Sequence, residues 1–510
     1  MKWIAASAAL ALSLAAPVRG QAAEPIQAPA GRDEALVALR SVDQARLHSD
    51  KAYAQAMLLR VAAGINQAGS EPFVADFEIL RATALATLER SEEAVAAARR
   101  AAAARPADGS IQAGAVFQAA RAERPSAALD LLEGAVRSVR DPAEVALLRE
   151  GLSEELVRWM RIKLKDAKAE PEDARLSLAL LALQWPSPDR PGIVDSLRRA
   201  AIKASLPGDV ARARALLAEM TDPAVLLPIL VSHRFDSLFA GDSERLRRLD
   251  AAIAAFDKGS AERLRRNPND PDMALDRAQF LRGLGREKEA LAVLAPWVDD
   301  MKRTEAGGEK AFWLVNEAAY ALRALGRGEE AVAAMEKIIT LDMDVHPYLI
   351  SMAINQGEIL NSAKRHAEAA RYAENLYATA KDAASVYGHM WMWSIAACAY
   401  ARAGEPARAA PWLKRLEASS DENQPAHMRA LLCNGDLDAA ERLLLKRLDG
   451  EDSDSLLVQL QDYGLDDGGR DSAIDRQMAA VKARPAVAAA IARRGRILRL
   501  PLSRTYWGDF

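Results

Sequence analysis

From Asp33 to Arg499 the apolar residues recur at helical intervals of three and four, broken by short Gly, Pro and Asp punctuation rather than by alternation of apolar and polar positions. The pattern predicts helices almost throughout and requires no strands. The helices come in pairs. In LDRAQFLRGLGREKEALAVLAPWV, Leu275 to Val298, a first helix runs into a turn at Gly283 to Gly285, and a second starts where Arg286-Glu287-Lys288-Glu289 leads into Ala290. Small Ala278 and Ala290 let the two helices approach closely. The same grammar returns in VNEAAYALRALGRGEEAVAAMEKII, with Ala319, Gly326 and Ala331 in the equivalent places. It returns again in WSIAACAYARAGEPARAAPWLKRL, through Trp393, Ala397, Tyr400, Gly404 and Ala409.

A large residue, a small one, an aromatic, a glycine turn and a second small residue along a helix pair resemble the tetratricopeptide-repeat family. Trp393, Ala397, Tyr400, Gly404 and Ala409 match that pattern position by position, and Gly357 with Ala369 supplies a fourth, looser copy. Arg90-Ser91-Glu92-Glu93-Ala94, followed by Ala98 and Pro106, resembles a half-repeat, as does Asn434-Gly435-Asp436-Leu437-Asp438-Ala439-Ala440. The alanines at 290, 331, 369 and 409 are 41, 38 and 40 residues apart. The family's usual period is about 34, so helices or loops between units are lengthened. The expected fold is therefore all-α, an α-solenoid of antiparallel helix pairs, irregular in its N-terminal half. The resemblance is good over Pro271 to Gly450, suggestive over Phe73 to Pro142 and poor from Glu150 to Asn267, where Pro186, Pro188, Pro191, Pro207, Pro223 and Pro228 interrupt the helices. The implied segments are a signal peptide (1–22), a flexible start (23–32), degenerate repeats (33–149), an irregular helical connector (150–270), tetratricopeptide-like repeats (271–450), and a helical cap with an extended tail (451–510).

Composition narrows the function classes. A chain of 510 residues exceeds one ordinary core and suits a linear array. Its net charge of -3 leaves no basic excess to neutralise phosphates, so nucleic acid is not an expected partner. Lys2, the apolar stretch Ile4 to Ala16, Pro17 and the small residues Gly20, Ala22 and Ala23 read as a secretory signal, cleaved between Gly20 and Glu24. An uncleaved anchor is the alternative. No cysteine for lipid attachment lies nearby, and no later stretch is apolar enough to span a bilayer. The expected location is periplasmic or secreted. Cys398 and Cys433 are the two cysteines; pairing is open to them in an oxidising space, but buried free thiols are the favoured reading.

Enzyme motifs are sparse. The sequence has no phosphate loop, no His-Glu-x-x-His, no Gly-x-Ser-x-Gly and no CxxC, and its six histidines lack ligand spacing, so neither metal nor cofactor is expected. Gly241-Asp242-Ser243 has the look of an esterase turn but lacks a preceding strand, and reads instead as a helix start capped by Asp242 or Ser243.

Aromatics gather in the C-terminal part, where Trp393 and Tyr400 occupy packing positions. Trp313, Asn316, Tyr320 and Arg323 share another face of their helix, offset from Ala319 and Leu322. In the resembled family the corresponding face lines a concave groove, which implies a binding surface. The same count gives Gln279 and Arg282 in the unit before, Asn355 and Glu358 in the unit after, and Trp391 in the next. A solvated or inter-repeat face is the alternative. Asn316 lacks the lysines of a carboxylate-clamping groove, so that activity is not implied.

The leading expectation is an exported, non-catalytic scaffold that binds a protein or peptide partner. A rival is a helical-toroid polysaccharide lyase or glycosidase using Tyr387, His389, Trp391 and Trp393. A third is an envelope scaffold that assembles through the basic-aromatic tail RRGRILRLPLSRTYWGDF.

Overall fold

The computed structural model of the chain describes residues 42–68, 73–167, 169–186, 190–380, 384–450, 453–465 and 472–507. The expected signal peptide and flexible start lie outside these residues, as do Pro188 and the tail residues 508–510. The chain divides into two units between Met220 and Thr221. The stretch expected to be a connector, 150–270, is therefore shared between them.

The first unit contains α1 (Gln44–Ser49), α2 (Lys51–Ala68), α3 (Val74–Thr87), α4 (Ser91–Ala104), α5 (Gly109–Arg121), α6 (Pro125–Ser138), α7 (Pro142–Glu150), α8 (Glu154–Asp166), α9 (Glu170–Ala182), α10 (Pro191–Ser205) and α11 (Val210–Ala218). The second begins with α12 (Pro223–Val231), a 3₁₀ turn (His233–Leu238) and α13 (Asp242–Arg266). It continues through α14 (Pro271–Gly283), α15 (Glu287–Val298), α16 (Met301–Ala306), α17 (Gly308–Ala324), α18 (Gly328–Ile339), α19 (Leu349–Ser362) and α20 (His366–Ala380). Then come α21 (Val386–Arg402), α22 (Pro406–Ala418), α23 (Gln424–Asn434), α24 (Leu437–Asp449), α25 (Ser453–Gln459), β1 (Asp462–Leu465), α26 (Ser472–Lys482), α27 (Pro485–Arg494), β2 (Arg499–Ser503) and α28 (Arg504–Trp507).

One turn joins most helix pairs. A residue with left-handed backbone ends the first helix, and the next amide donates to the carbonyl five residues back: Arg286 to Leu281, Arg327 to Leu322 and Glu405 to Tyr400, each at 2.9 Å. Gly285, Gly326, Gly404 and Gly435 hold this position with φ of 67° to 76°. The first unit uses the same turn without glycine. Glu89 (φ 62°), Glu123 (58°) and Gln184 (52°) stand there, and Arg90, Arg124 and Trp185 donate to Leu85, Ala119 and Leu180. A side chain in that conformation costs on the order of 1 kcal/mol, which the hydrogen-bonded turn offsets.

Lys364 (φ 64°) makes the turn of the fourth copy, which corrects the reading of Gly357. Gly357 lies mid-helix on α19, where a Cβ would sit 3.2 Å from Ile395 Cγ2; it allows close packing. After the turn, Arg90, Arg286, Arg327 and Arg365 each pair with the glutamate three residues on, Glu93, Glu289, Glu330 and Glu368. These carboxylates also meet the positive ends of their helices.

In the second unit α14, α17, α19, α21 and α23 form a row of first helices. Each packs on its own partner and on the next first helix. The repeat alanines 290, 331, 369 and 409 are fully buried, as the close approach of paired helices requires. Cys398 and Cys433 form a disulfide between α21 and α23, so the expectation of free thiols is corrected. The two positions are 35 residues apart, close to one repeat, which brings equivalent places on neighbouring first helices together.

The second unit also joins its beginning to its end. Gly495 bridges Ser232, the Arg496 amide donates to the Val231 carbonyl at 2.9 Å, and Arg496 pairs with Asp236 and Asp242. Helix α13 does begin at Asp242, but neither Asp242 nor Ser243 caps it; Glu244 instead accepts from the Ala240 amide. The expectation of no strands is corrected by a short parallel pair, with Asp462 opposite Arg499 and Tyr463 opposite Leu500. No described helix is long and apolar enough to cross a membrane.

Candidate protein-binding face

The residues singled out at helical spacing all fall on the row of first helices, and the structure connects them across helix boundaries. On α14 and α17, Gln279 donates to Glu317 at 3.1 Å and Arg282 forms a short ion pair with the same carboxylate. Between α17 and α19, the Asn355 amide donates to Asn316 Oδ1 at 2.9 Å, and Arg323 meets Glu358 at 2.7 Å. From α23, Arg429 reaches Glu358 at 3.0 Å. The ring of Tyr320 lies between two guanidiniums, 5.4 Å from Arg282 and 4.8 Å from Arg323.

The face is thereby divided along its length. Arg282, Asn316 and Arg323 are less than a tenth exposed. The expectation that they line an open groove is corrected: they are buried, and Arg282, Asn316 and Arg323 contact Glu317, Asn355 and Glu358 on neighbouring first helices. Gln279, Tyr320, Asn355 and Glu358 are half-buried members of the same ladder. Toward the N-terminal ends of α17 and α21 aromatic side chains are partly accessible. Trp313 is half-buried beside exposed Glu309, Tyr387 is 52% exposed, and Trp391 lies 6.5 Å from Tyr387, centroid to centroid.

Sequence spacing missed Glu317, Arg402 and Arg429. Arg402 lies eleven residues, three helical turns, beyond Trp391, so the same arithmetic carried further reaches it. Burial, then the like charge of Arg429, draws its guanidinium down to about 10, against the opposing attraction of Glu358. Glu317 and Arg429 have no signal on their own helices, because what selects them is a partner on another.

The tail covers one end of the ladder. Trp507 donates its indole N–H to the Gly283 carbonyl at 3.0 Å, and Tyr506 sets its ring 5.4 Å from Arg282. Gly283 makes room, since a Cβ there would lie 3.0 Å from the indole nitrogen. Burial, chiefly, and then the negative charge of Glu317 push the Tyr506 phenol up. Residues 499–507 therefore rest on their own unit.

The four residues of the supposed sugar site separate. His389 and Trp393 pack with Tyr377, at 5.4 and 5.7 Å, and Arg415 lies over Tyr377, Trp393 and Trp412; Tyr387 and Trp391 pair with each other. Among the described residues no group of His, Cys, Asp and Glu is placed to hold a metal ion.

Helix pairs closed by one recurrent turn, with small residues at the crossing and first helices in a row, define a tetratricopeptide-like α-solenoid protein. No family model and no curated protein matches the sequence. Among solved structures the chain is similar to yeast Tom70, at 13% identity over 90% of this chain and 99% of that one, with a TM-score of 0.30. It is also similar to the human IFIT1 dimer with m7Gppp-AAAA, at 12% identity over 86% and 96% of the two chains and a TM-score of 0.29. For the APC/C hetero-tetramer Cut9-Hcn1 the identity is 11%, over 90% and 98%, with a TM-score of 0.27.

Proposed function

We propose that the chain is an exported, non-catalytic binding protein that holds a protein or peptide partner on the first-helix face of its second unit. The observation that carries the reading is the partly accessible aromatic set of Trp313 on α17 and Tyr387 and Trp391 on α21, two first helices with α19 between them, beside a polar ladder that joins α14, α17, α19 and α23. Aromatic side chains supply large contact area at low entropic cost, and helices already held in place add little ordering cost on association. The ladder residues Gln279, Arg282, Asn316, Tyr320, Arg323, Asn355 and Glu358 then act as the support for the face, with Trp313 and Trp391 as its anchors.

Export is supported by the signal-like start and by the Cys398–Cys433 disulfide, a bond that persists in oxidising compartments. Mass spectrometry of the cellular protein tests it: a mature chain beginning between Gln21 and Glu24 is expected, and an intact Met1 in the envelope fraction refutes cleavage.

Binding is tested by recovering partners from envelope extracts with the wild type and with Trp313→Ala and Trp391→Ala. Each anchor lost should weaken binding by about 1 to 4 kcal/mol, a roughly fivefold or larger loss of affinity seen as reduced recovery of the partner, with an unchanged helical circular dichroism spectrum. Equal recovery of every partner by all three proteins refutes the face.

A further inference from the structure

The two sulfurs of the disulfide meet different surroundings. Cys398, in the middle of α21, is 1% exposed, whereas Cys433, near the end of α23, is half-buried. Cys433 Sγ lies 3.7 Å from Nη2 of Arg402. A guanidinium held where water is scarce stabilises a nearby anion far more than an exposed one does, and a thiolate beside such a group forms at lower pH. The other charged groups facing this spot are Arg429 from α23 and Glu358 from α19, which act on Arg402 itself. His366 from α20 also faces it; burial, and after it Arg402, lower the His366 pKa, so this ring is neutral at physiological pH. A fully buried cysteine joined to a partly exposed one beside a cation is an asymmetry that directs a nucleophile to one end of a disulfide.

We propose that Cys398–Cys433 is an exchangeable disulfide, a site of thiol–disulfide exchange with dithiol reductants, in which Cys433 is the accessible sulfur and Arg402 stabilises its thiolate. In the reducing direction one thiolate of the dithiol attacks Cys433 Sγ. A bond forms between the dithiol and Cys433, the Cys398–Cys433 bond breaks, and its electron pair leaves on Cys398, which takes up a proton. The second thiol of the dithiol, deprotonated, then attacks its own sulfur in the mixed disulfide. The reductant closes to its cyclic disulfide, oxidised by two electrons, and Cys433 departs as a thiolate beside Arg402. In the other direction the Cys433 thiolate attacks an external disulfide and Cys398 resolves the intermediate. The inference stands apart from the binding reading, because it needs only the two cysteines and Arg402.

The test uses the full-length protein. After reduction with dithiothreitol, the rate of Cys433 alkylation by iodoacetamide is followed against pH by peptide mass spectrometry. The Cys433 profile should turn over at least one unit below the free-cysteine value of about 8.5, with Cys398 far slower. In Arg402→Gln the midpoint should rise by about a unit, corresponding to a roughly tenfold smaller thiolate fraction, and Arg402→Lys should keep part of the depression. The oxidised protein should be reduced by dithiothreitol in native buffer much faster than it unfolds. A wild-type midpoint at or above the free-cysteine value overturns the proposal, as does reduction that proceeds only as fast as global unfolding. Should Arg402→Gln fail to fold, the wild-type profile and Arg402→Lys decide the matter.

Discussion

Replacing Gly495 by alanine tests whether the second unit joins α12 to the end of α27. An added Cβ would lie 2.3 Å from the Val231 carbonyl oxygen and 2.7 Å from Leu457 Cδ1. Leu457 Cδ1 can rotate aside, but the carbonyl belongs to the end of α12 and cannot. Restoring ordinary contact requires the backbones to separate by about 1 Å, enough to break the Arg496 amide bond to Val231. The broken bond costs about 1 kcal/mol, and the carbonyl it leaves buried adds roughly 1 to 2. Arg496 also loses its geometry on Asp236 and Asp242, but both carboxylates are about half exposed, so that loss is discounted to about 0.5 kcal/mol. The expected destabilisation is about 2 to 4 kcal/mol. The backbone at Gly495 is extended, with φ of −171°, so alanine meets no conformational penalty there and the loss is steric. Urea unfolding followed by circular dichroism measures the total, and hydrogen exchange at the Arg496 amide reads the junction itself. Gly134→Ala, in α6 with nothing within 4 Å of the added carbon, is the control and should gain up to about 1 kcal/mol. A Gly495→Ala protein within about 0.5 kcal/mol of wild type, its Arg496 amide still protected, would refute the contact between the two ends.

Removing the disulfide by Cys398→Ser with Cys433→Ser should lower stability by about 4 kcal/mol, the chain-entropy value for a closed loop of 35 residues, measured by denaturant unfolding of both proteins. His48, on α1, has its pKa lowered from 6.5 to about 4 by burial first and the Arg121 charge second. The unfolded chain therefore binds the extra proton first as pH falls, so the stability His48 contributes is full above pH 6.5 and is lost between there and about pH 4. The loss reaches about 3 kcal/mol, and His48→Gln should remove that part of the pH dependence in unfolding titrations of the two proteins. An unchanged titration in the variant would show that the ring is not buried as described.

Much of the fold was legible because its turns announce themselves. Gly285, Gly326 and Gly404 sit where backbone must be left-handed, and alanines flank them at fixed distances, so three helix pairs could be read directly. The first unit repeats the same turn with Glu89, Glu123 and Gln184, residues that carry no turn signature, and its regularity stayed hidden for that reason. Lys364 hid in the same way, which left Gly357 standing in for it. The small β1–β2 pair was invisible on different grounds: four or five residues paired over a separation of about 37 positions leave no local periodicity. Spacing on one helix placed Trp313, Asn316, Tyr320 and Arg323 on a common face correctly, but it could not say which of them would meet water. That depends on Glu317 and Glu358, whose role exists only once α14, α17 and α19 lie side by side.

The burial of the ladder changes where binding energy can come from. A partner gains little from Arg282 or Arg323, because each guanidinium would have to give up a carboxylate it already holds in a poorly hydrated setting, and removing one member of such a pair costs about 3 to 5 kcal/mol. The pairs themselves add little net stability over apolar packing, yet they discriminate strongly between registers, since sliding one first helix by a turn would strand a charge. Their consequence for the proposed binding is positional: they hold α17 against α14 and α19, and so fix where Trp313 is placed. If the proposed anchors contact a partner, they and the residues that hold them in place should fail differently. Trp313→Ala should weaken binding and leave unfolding unchanged, whereas Glu358→Gln should weaken both together, because Arg323 and Arg429 lose the carboxylate they share.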